Sequence, residues 1–584
     1  MKKIVSLLLL IVMLLGALTS CGAPKDDGAE INVYLGAQVF DFDPSDYYVS
    51  SNAEQILSLV YEPLFTLKKN GKIKCAAAKD YEIDKEERKI VITLRESYWS
   101  DDIKVQASDF VYAWRDRIIN SDNPNPAAAL FCDIEGVEEV LRGTGNIYDV
   151  AINATEMDQI TLVYREGADY KRILRNLASV ATAPVRQNAV EGSETYWSKS
   201  SAVTNGAFKI RSYDGESGTF ELTRNLGYHQ SPTTKDYDNK VRAGMLYGTF
   251  TLAGSDITVS YKDIQDKVTF IMADASLADR AEYKKKADVA DHTSVYTYVF
   301  NTSNPLFADV NVRLALSAVI DREAIVEAIT FGKAADGFIP NVSGGSKEEL
   351  ISAKGDKAKA EAYLQNADQS VLAANKSFTL TIDSDEQSAK IAQIVKESWE
   401  SIGFTVTVKV AEPVKTELAE ATFYDSGIQY LIKEATYGNV NYDVIAVDWQ
   451  TFSHDAFAGL ASLSSTLNGM GKQQYVGNPD SENEAEKVDR SEMRTNVACW
   501  SDKTYDDLIS ASLTLSSKER STKLAEAEKY LIEQMPVCPL VFNQNFVFTG
   551  SKISKLSFNG LGNFNLNDVK LAGSKKFLKP EEEE

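Results

Sequence analysis

Cys21 is the first residue whose surroundings specify a reaction. Its thiol follows Leu18-Thr19-Ser20, one large apolar residue and two small or polar ones. Ahead of these stand Lys2, Lys3 and a charge-free apolar run from Ile4 to Leu18. A positive start, an apolar middle and a cleavage site make a secretory leader. A thiol directly behind the cut, as in a bacterial lipobox, is the nucleophile for a thioether-linked lipid. The expectation is a signal peptide over residues 1–20, an acylated Cys21 and a polar tether over residues 21–30. A spanning anchor needs about 20 apolar residues, more than the run supplies, and a plain cleaved leader would not need the cysteine.

The remaining reactive side chains form no recognisable catalytic or metal-binding set. Histidine occurs at His229, His292 and His454 alone, without HExxH spacing, and no CxxC pair exists. GxxxxGK[ST], complete GxGxxG and GxSxG motifs are missing from the sequence. Neither an enzyme, a cofactor nor a bound metal is therefore expected. Cys75, Cys132, Cys499 and Cys538 are widely spaced; an extracytoplasmic compartment permits two disulfides, and four cysteines allow three pairings.

The elements that would position a site alternate between strand and helix. Phe378–Ile382 alternates as a strand, Ser388–Ile402 puts Ile391, Ile394, Val395, Trp399 and Ile402 on one helical face, and Phe404–Val410 alternates again. Together they predict a β-α-β unit, with Gly403 ending its helix. A second helix is expected from Asp309 through Ile329. A third begins at Ser516, where Glu519 completes a capping-box spacing, and stops at Pro536. Asn478–Arg494 is polar and charge-rich and reads as an exposed loop, and Glu581–Glu584 as an acidic tail.

The chain of 584 residues is too long for one core. Its net charge of −22 excludes a nucleic acid as an expected partner and suits solubility beside an anionic membrane.

Several segments, in order, resemble the bacterial extracellular solute-binding proteins of family 5, the oligopeptide- and dipeptide-binding type that serves ABC importers. Phe42-Asp43-Pro44 is similar to an early LDP motif. Leu94–Asp101 (LRESYWSD) with Val105–Trp114 (VQASDFVYAW) resembles the signature LRxxxxWSDGxPVTAxDFVYSW, with Asp102 where glycine is usual. Thr204–Lys209 (TNGAFK) and Leu222–Asn225 (LTRN) continue the pattern. Phe300–Phe307, Asp309–Leu316 and Ile320–Glu323 resemble FNTxxxPFxDVRVRxAL and its continuation, and Met535–Leu540 the segment before a C-terminal strand.

The resemblance implies an α/β, two-lobed periplasmic-binding-protein-like clam (class II, cluster C) with mixed β-sheets and an inserted third domain. Its boundaries map to domain I at 31–66, domain II at 67–202, domain I again at 203–292, domain III at 293–535, and a third domain I segment with the tail at 536–584. It also implies a monomer at the outer face of the cell membrane. Such a protein would capture a peptide between its lobes and deliver it to ABC transporter permease subunits. A non-peptide solute or a sensing role on the same fold is the alternative.

The ligand-contacting segments of the family map to Tyr47, Tyr48 and Val49, and to Asp448, Trp449, Gln450, Thr451, Phe452 and Asp455. Aligned on Trp449, the aspartate that takes a peptide's amino group is replaced by Phe452. If the segment stays extended, positions 448, 450 and 452 share one face, and Asp448 could replace that carboxylate. Asp455 is a second candidate; either acid could instead be merely solvated. Trp449 is read as either ligand contact or core packing. A cysteine bridge found in some relatives maps to Ser294 and Gln450, so it is missing here.

Overall fold

A computed structural model of the chain describes residues 29–35, 42–45, 51–121, 125–191, 196–198, 202–214, 219–230, 241, 243–250, 269–271, 284–329, 331–418, 421–436, 440–467, 475–477, 487–489, 496–567 and 569–571. Cys21, Tyr47, Tyr48, Val49, the acidic tail and most of 478–494 lie outside these residues.

The strands that build the two main sheets are, in chain order, β1 (Ala29–Leu35), β2 (Ala78–Asp84), β3 (Lys89–Leu94), β4 (Ile152–Glu156), β5 (Gln159–Val163), β6 (Phe208–Asp214), β7 (Thr219–Arg224), β8 (Ala243–Phe250), β9 (Thr269–Ile271), β10 (Asp288–Phe300), β11 (Ser377–Ile382), β12 (Thr405–Val410), β13 (Val444–Gln450) and β14 (Val537–Thr549). The large sheet runs β12-β11-β13-β10-β14-β9-β1-β8-β7-β6, with Lys333–Ala334 paired onto β14 off this path. A separate antiparallel sheet, β2-β3-β5-β4, is built from residues 78–163. The chain is thus mixed α/β, with parallel pairs β1–β8 and β11–β12 beside antiparallel ones.

Strands β10 and β14, thirteen residues each, are neighbours in the middle of the large sheet. β10 is antiparallel to β14 over both ends but shifts register between Asp291 and Val295. One half of the sheet comes from residues before 272 and the other from residues after 376, so these two strands join the halves. A bulge bends a strand locally, which puts the bend of the sheet beside His292, Thr293 and Ser294.

The β-α-β unit forms as expected, through helix α3 (Glu386–Ser401) between parallel β11 and β12. Ile391, Val395 and Trp399 are fully buried, and Gly403 takes the left-handed φ of +97° that ends helices. The helix begins earlier than its apolar stripe: the Asp385 carboxylate accepts from the Ser388 amide at 2.8 Å and caps it.

The expected helix from Asp309 through Ile329 is two, α1 (Val310–Ala318) and α2 (Arg322–Ile329). Arg322 explains the break. Its guanidinium is buried and donates to the carbonyls of Ser317 (3.2 Å), Ile320 (3.4 Å) and Pro539 (2.8 Å). A continuous helix would consume the first two acceptors. Helix α5 (Ser517–Gln534) starts behind Ser516, whose hydroxyl donates to Glu519 at 2.6 Å, and ends where Met535 turns left-handed before Pro536.

Cys75, Cys132 and Cys538 are free thiols, and burial pushes the Cys132 thiol up to about 12. The option of two disulfides is not taken.

Candidate functional site

The candidate segment 448–455 leaves the large sheet at the end of β13. Register fixes its start: Gln450 faces Ser294, Trp449 faces Val295 and Asp448 faces Tyr296 on β10. Ser294 and Gln450, the two positions of the missing cysteine bridge, are direct cross-strand neighbours.

Trp449 packs into the interior. It is 5 % exposed, its indole donates to the Gly459 carbonyl at 3.0 Å, and its ring lies 5.5 Å from Phe338. Phe452 is buried too, at a φ of +62°. That left-handed turn ends the extended run, so the premise that 448, 450 and 452 share one face fails at its last member. Asp448 and Gln450 still share a face, one pleat apart. Asp448 is partly exposed and accepts a hydrogen bond from the Asn543 amide. Gln450 is 2 % exposed, and among the described residues neither end of its amide has a hydrogen-bond partner. Thr451 is buried, with its amide donating to Thr293 at 3.0 Å.

Asp455 is not a solvated loop acid. One of its oxygens caps the short helix α4 (Ala456–Ala461) through the Phe457 amide at 3.2 Å. The other meets Arg520 at 3.0 Å and Arg172 at 3.4 Å. Arg172 also grips Asp133, with Nη2 donating at 2.7 Å, and Arg520 stacks over Phe457. Burial pushes the Asp133 carboxyl up, but Arg172, Arg520 and Arg165 outweigh it and hold the group below its ordinary value.

Three side chains outside the expected set belong to the same neighbourhood. Asn543 on β14 donates to both Asp448 and Ser294, the latter at 2.8 Å. Asp383 and Asp385 follow the end of β11, which runs parallel to β13. Burial pushes both carboxyls up; the Asp385 charge adds to this at Asp383, followed by that of Asp448, and brings Asp383 to about 7. A DSDE run at a strand end was the available signal, masked by the helical stripe read further along.

Behind Ser294 a buried polar chain continues into the bend. The Ser294 hydroxyl lies 2.8 Å from His292 Nδ1, and His292 Nε2 lies 3.1 Å from Glu54. Asn563 donates to the other Glu54 oxygen at 2.6 Å. Glu54 and His292 are both inaccessible to solvent.

The signature residues that carried the resemblance are staples of the fold. The Trp99 indole donates to Asp109 at 3.0 Å, and the Trp114 indole to the Thr182 carbonyl at 2.7 Å. Asp102 sits at a φ of +67°, a conformation that favours glycine.

Among the described residues no group of His, Cys, Asp and Glu is arranged to hold a metal ion, and no helix is long and apolar enough to cross a membrane. What the described residues offer is a cluster of polar groups, Asp448, Gln450, Ser294 and Asn543, on the adjacent strands β13, β10 and β14.

Comparison with known proteins agrees with this architecture. The Bacillus subtilis (strain 168) dipeptide-binding protein DppE is 25 % identical over 497 residues, 84 % of this chain and 82 % of that one. The solved structure of the pheromone receptor PrgZ superposes with a TM-score of 0.72 at 21 % identity, over 93 % of this chain and 99 % of that one. The Escherichia coli murein tripeptide binding protein MppA gives 0.70 at 19 % identity, over 93 % and 98 % of the two chains. The fold is thus the two-lobed α/β clam. The profile of bacterial extracellular solute-binding proteins, family 5 Middle, matches residues 72–471, and the chain belongs to that family.

Proposed function

We propose that this protein captures oligopeptides between its two lobes and delivers them to the permease of an ABC importer. One observation carries the reading: family membership across residues 72–471 coincides with a buried amide at Gln450, unpartnered among the described residues, on β13 beside the β10 strand that joins the halves of the sheet. A peptide unit supplies both the donor and the acceptor that such an amide lacks.

In this reading the domain boundaries stand at 66/67, 202/203, 292/293 and 535/536, so that the bend at Asp291–Val295 is the hinge. Tyr47, Tyr48 and Val49 contact the ligand, as the resemblance has it, while Asp448, Gln450 and Thr451 furnish a wall of the cleft. Trp449, Phe452 and Asp455 shape that wall from behind. The protein works as a monomer and performs no catalysis. Cys21 carries the lipid that keeps it at the outer face of the membrane.

The test is thermal. A peptide that binds only the folded state raises the melting temperature by mass action. A mixture of di- to decapeptides should shift the transition upward, and mass spectrometry of co-purified material should show peptides. If no length or composition shifts it, peptide capture is wrong.

A further inference from the structure

We propose that His454 is a positioning residue of peptide capture: its imidazole pins the segment 448–455 to the opposite lobe when the protein closes, and a proton on the ring loosens that hold. The proposal rests on the peptide-capture reading and adds to it the condition under which the peptide is released.

The first support is where the ring lies. His454 follows the left-handed turn at Phe452 and precedes Asp455, the cap of α4. Its Nε2 stands 2.6 Å from the Gly560 carbonyl, 106 residues further along the chain. Gly560 is fixed in turn, its amide donating to the Leu67 carbonyl at 2.7 Å. On the other side the ring faces Gly71, where a Cβ would lie 3.8 Å from Nδ1. Gly71 belongs to the turn between Phe65–Leu67 and Ile73–Cys75. One side chain from the segment mapped to domain III thus borders those mapped to domains I and II.

The same seam holds other contacts. Arg142 donates to Thr466 at 3.1 Å and to Ser510 at 2.9 Å, Arg165 donates to the Leu513 carbonyl at 3.0 Å, and Arg172 meets Asp455. Arginine keeps its charge throughout the physiological range. The imidazole is the side chain of this seam whose ordinary titration falls between pH 5 and pH 8.

The second support is the charge around the ring. A neutral imidazole protonated at Nε2 donates to Gly560 and needs no partner at Nδ1. A second proton puts an N–H on Nδ1 and a positive charge on the ring. Among the described residues no carboxylate pairs with it. Helix Tyr170–Asn176 brings Arg175, the turn at Gly71 carries Lys68, Lys69 and Lys72, and the stretch Asn559–Asn563 has no charged residue. The adjoining Asp455 is already held by Arg172 and Arg520. Burial pushes the imidazole down; the Gly560 hydrogen bond opposes this, and the Arg175 charge adds to it. When the lobes part, the ring returns to water and to its ordinary value near 6.5. The open form therefore takes up the proton more readily, and below about pH 6.5 protons draw the protein open.

The experiment is equilibrium dialysis of the intact protein against the mixture of di- to decapeptides at pH 7.5 and pH 5.5, with free and bound peptides quantified by mass spectrometry. Wild type is compared with His454→Gln, whose amide keeps a donor toward Gly560 and does not titrate, and with His454→Ala, which removes the donor. Relative to His454→Gln, wild type should lose affinity severalfold between the two pH values. A group that titrates near 6.5 when free limits this loss to about tenfold. Division by the glutamine variant cancels the titration of the peptides and of every other group. At pH 7.5 His454→Ala should hold peptides more weakly than His454→Gln. Equal pH dependence of wild type and His454→Gln overturns the inference and leaves peptide capture standing. An alanine variant that holds peptides as tightly as wild type at pH 7.5 also overturns it. If none of the three proteins retains a peptide at either pH, peptide capture falls and this inference with it.

Discussion

Arg172 and Asp455 form an ion pair at 3.4 Å across 283 residues of chain, one from the segment mapped to domain II and the other from that mapped to domain III. Asp133 and Arg520 extend it into a buried row of alternating charge. Removing one member leaves its partners buried and unpaired. Asp455→Ala should therefore cost about 3–5 kcal/mol, read from the denaturant midpoint. Because the pair joins the segments that must approach on closure, the variant should also expand in solution scattering and bind peptide more weakly. A variant as compact and as tightly binding as the wild type would remove this row from any part in closure.

Glu54 and His292 form a second buried pair, 3.1 Å apart at the bend of the sheet. Asn563 and Ser294 occupy their outer sides, so helix Ser51–Val60, β10 and the C-terminal segment share one network. Each buried group left without a partner costs about 1–3 kcal/mol. Glu54→Ala should destabilise the protein by several such increments, and Glu54→Gln by less, since the amide keeps an acceptor toward Asn563. Equal losses in the two variants, measured by chemical denaturation, would show that the carboxylate charge, and not the acceptor or the shape that glutamine keeps, matters there.

The sequence made the fold legible where local and tertiary preferences coincide. The stripe of Ile391, Val395 and Trp399 predicted its helix because the face it covers is the face that is buried. The tryptophans of the signature segment were legible for a related reason: Trp99 and Trp114 are held by specific buried acceptors that few other residues could serve. The break between α1 and α2 was not legible, because Arg322 takes acceptors from Pro539, more than 200 residues away. The same distance hid the site. Nothing local marks Asn543 as the partner of Asp448, and nothing local decides between the two readings of Asp455, because Arg172 and Arg520 arrive from elsewhere in the chain. Phe452 was misplaced in register for a backbone reason, a left-handed φ that no glycine announced.

The anchoring of the chain rests on Cys21. Cys21→Ala should release the protein from the membrane fraction into the medium, with an unchanged peptide-induced shift in melting temperature, since Cys21 precedes the first strand, which starts at Ala29. Mass spectrometry of the wild-type N-terminus should show cleavage before residue 21 and added acyl mass. A membrane-bound alanine variant would disprove lipid attachment at this residue.

The carboxyl of Asp383 makes the protein's stability depend on pH in a direction opposite to that of most acids. Burial pushes the group up, and the charges of Asp385 and Asp448 add to this, placing it at about 7 against the hydrogen bonds from Ser384. Between about pH 4, where an unfolded carboxylate titrates, and pH 7, the folded chain holds a proton that the unfolded chain has released. The unfolded state then binds fewer protons, so stability falls as pH rises through this window. The contribution is fully present below pH 4 and gone above about 7. The melting temperature of ligand-free wild type, relative to Asp383→Asn, should therefore drop between pH 5 and pH 8. Parallel melting curves for the two proteins across pH 5–8 would mean that Asp383 is ionised throughout.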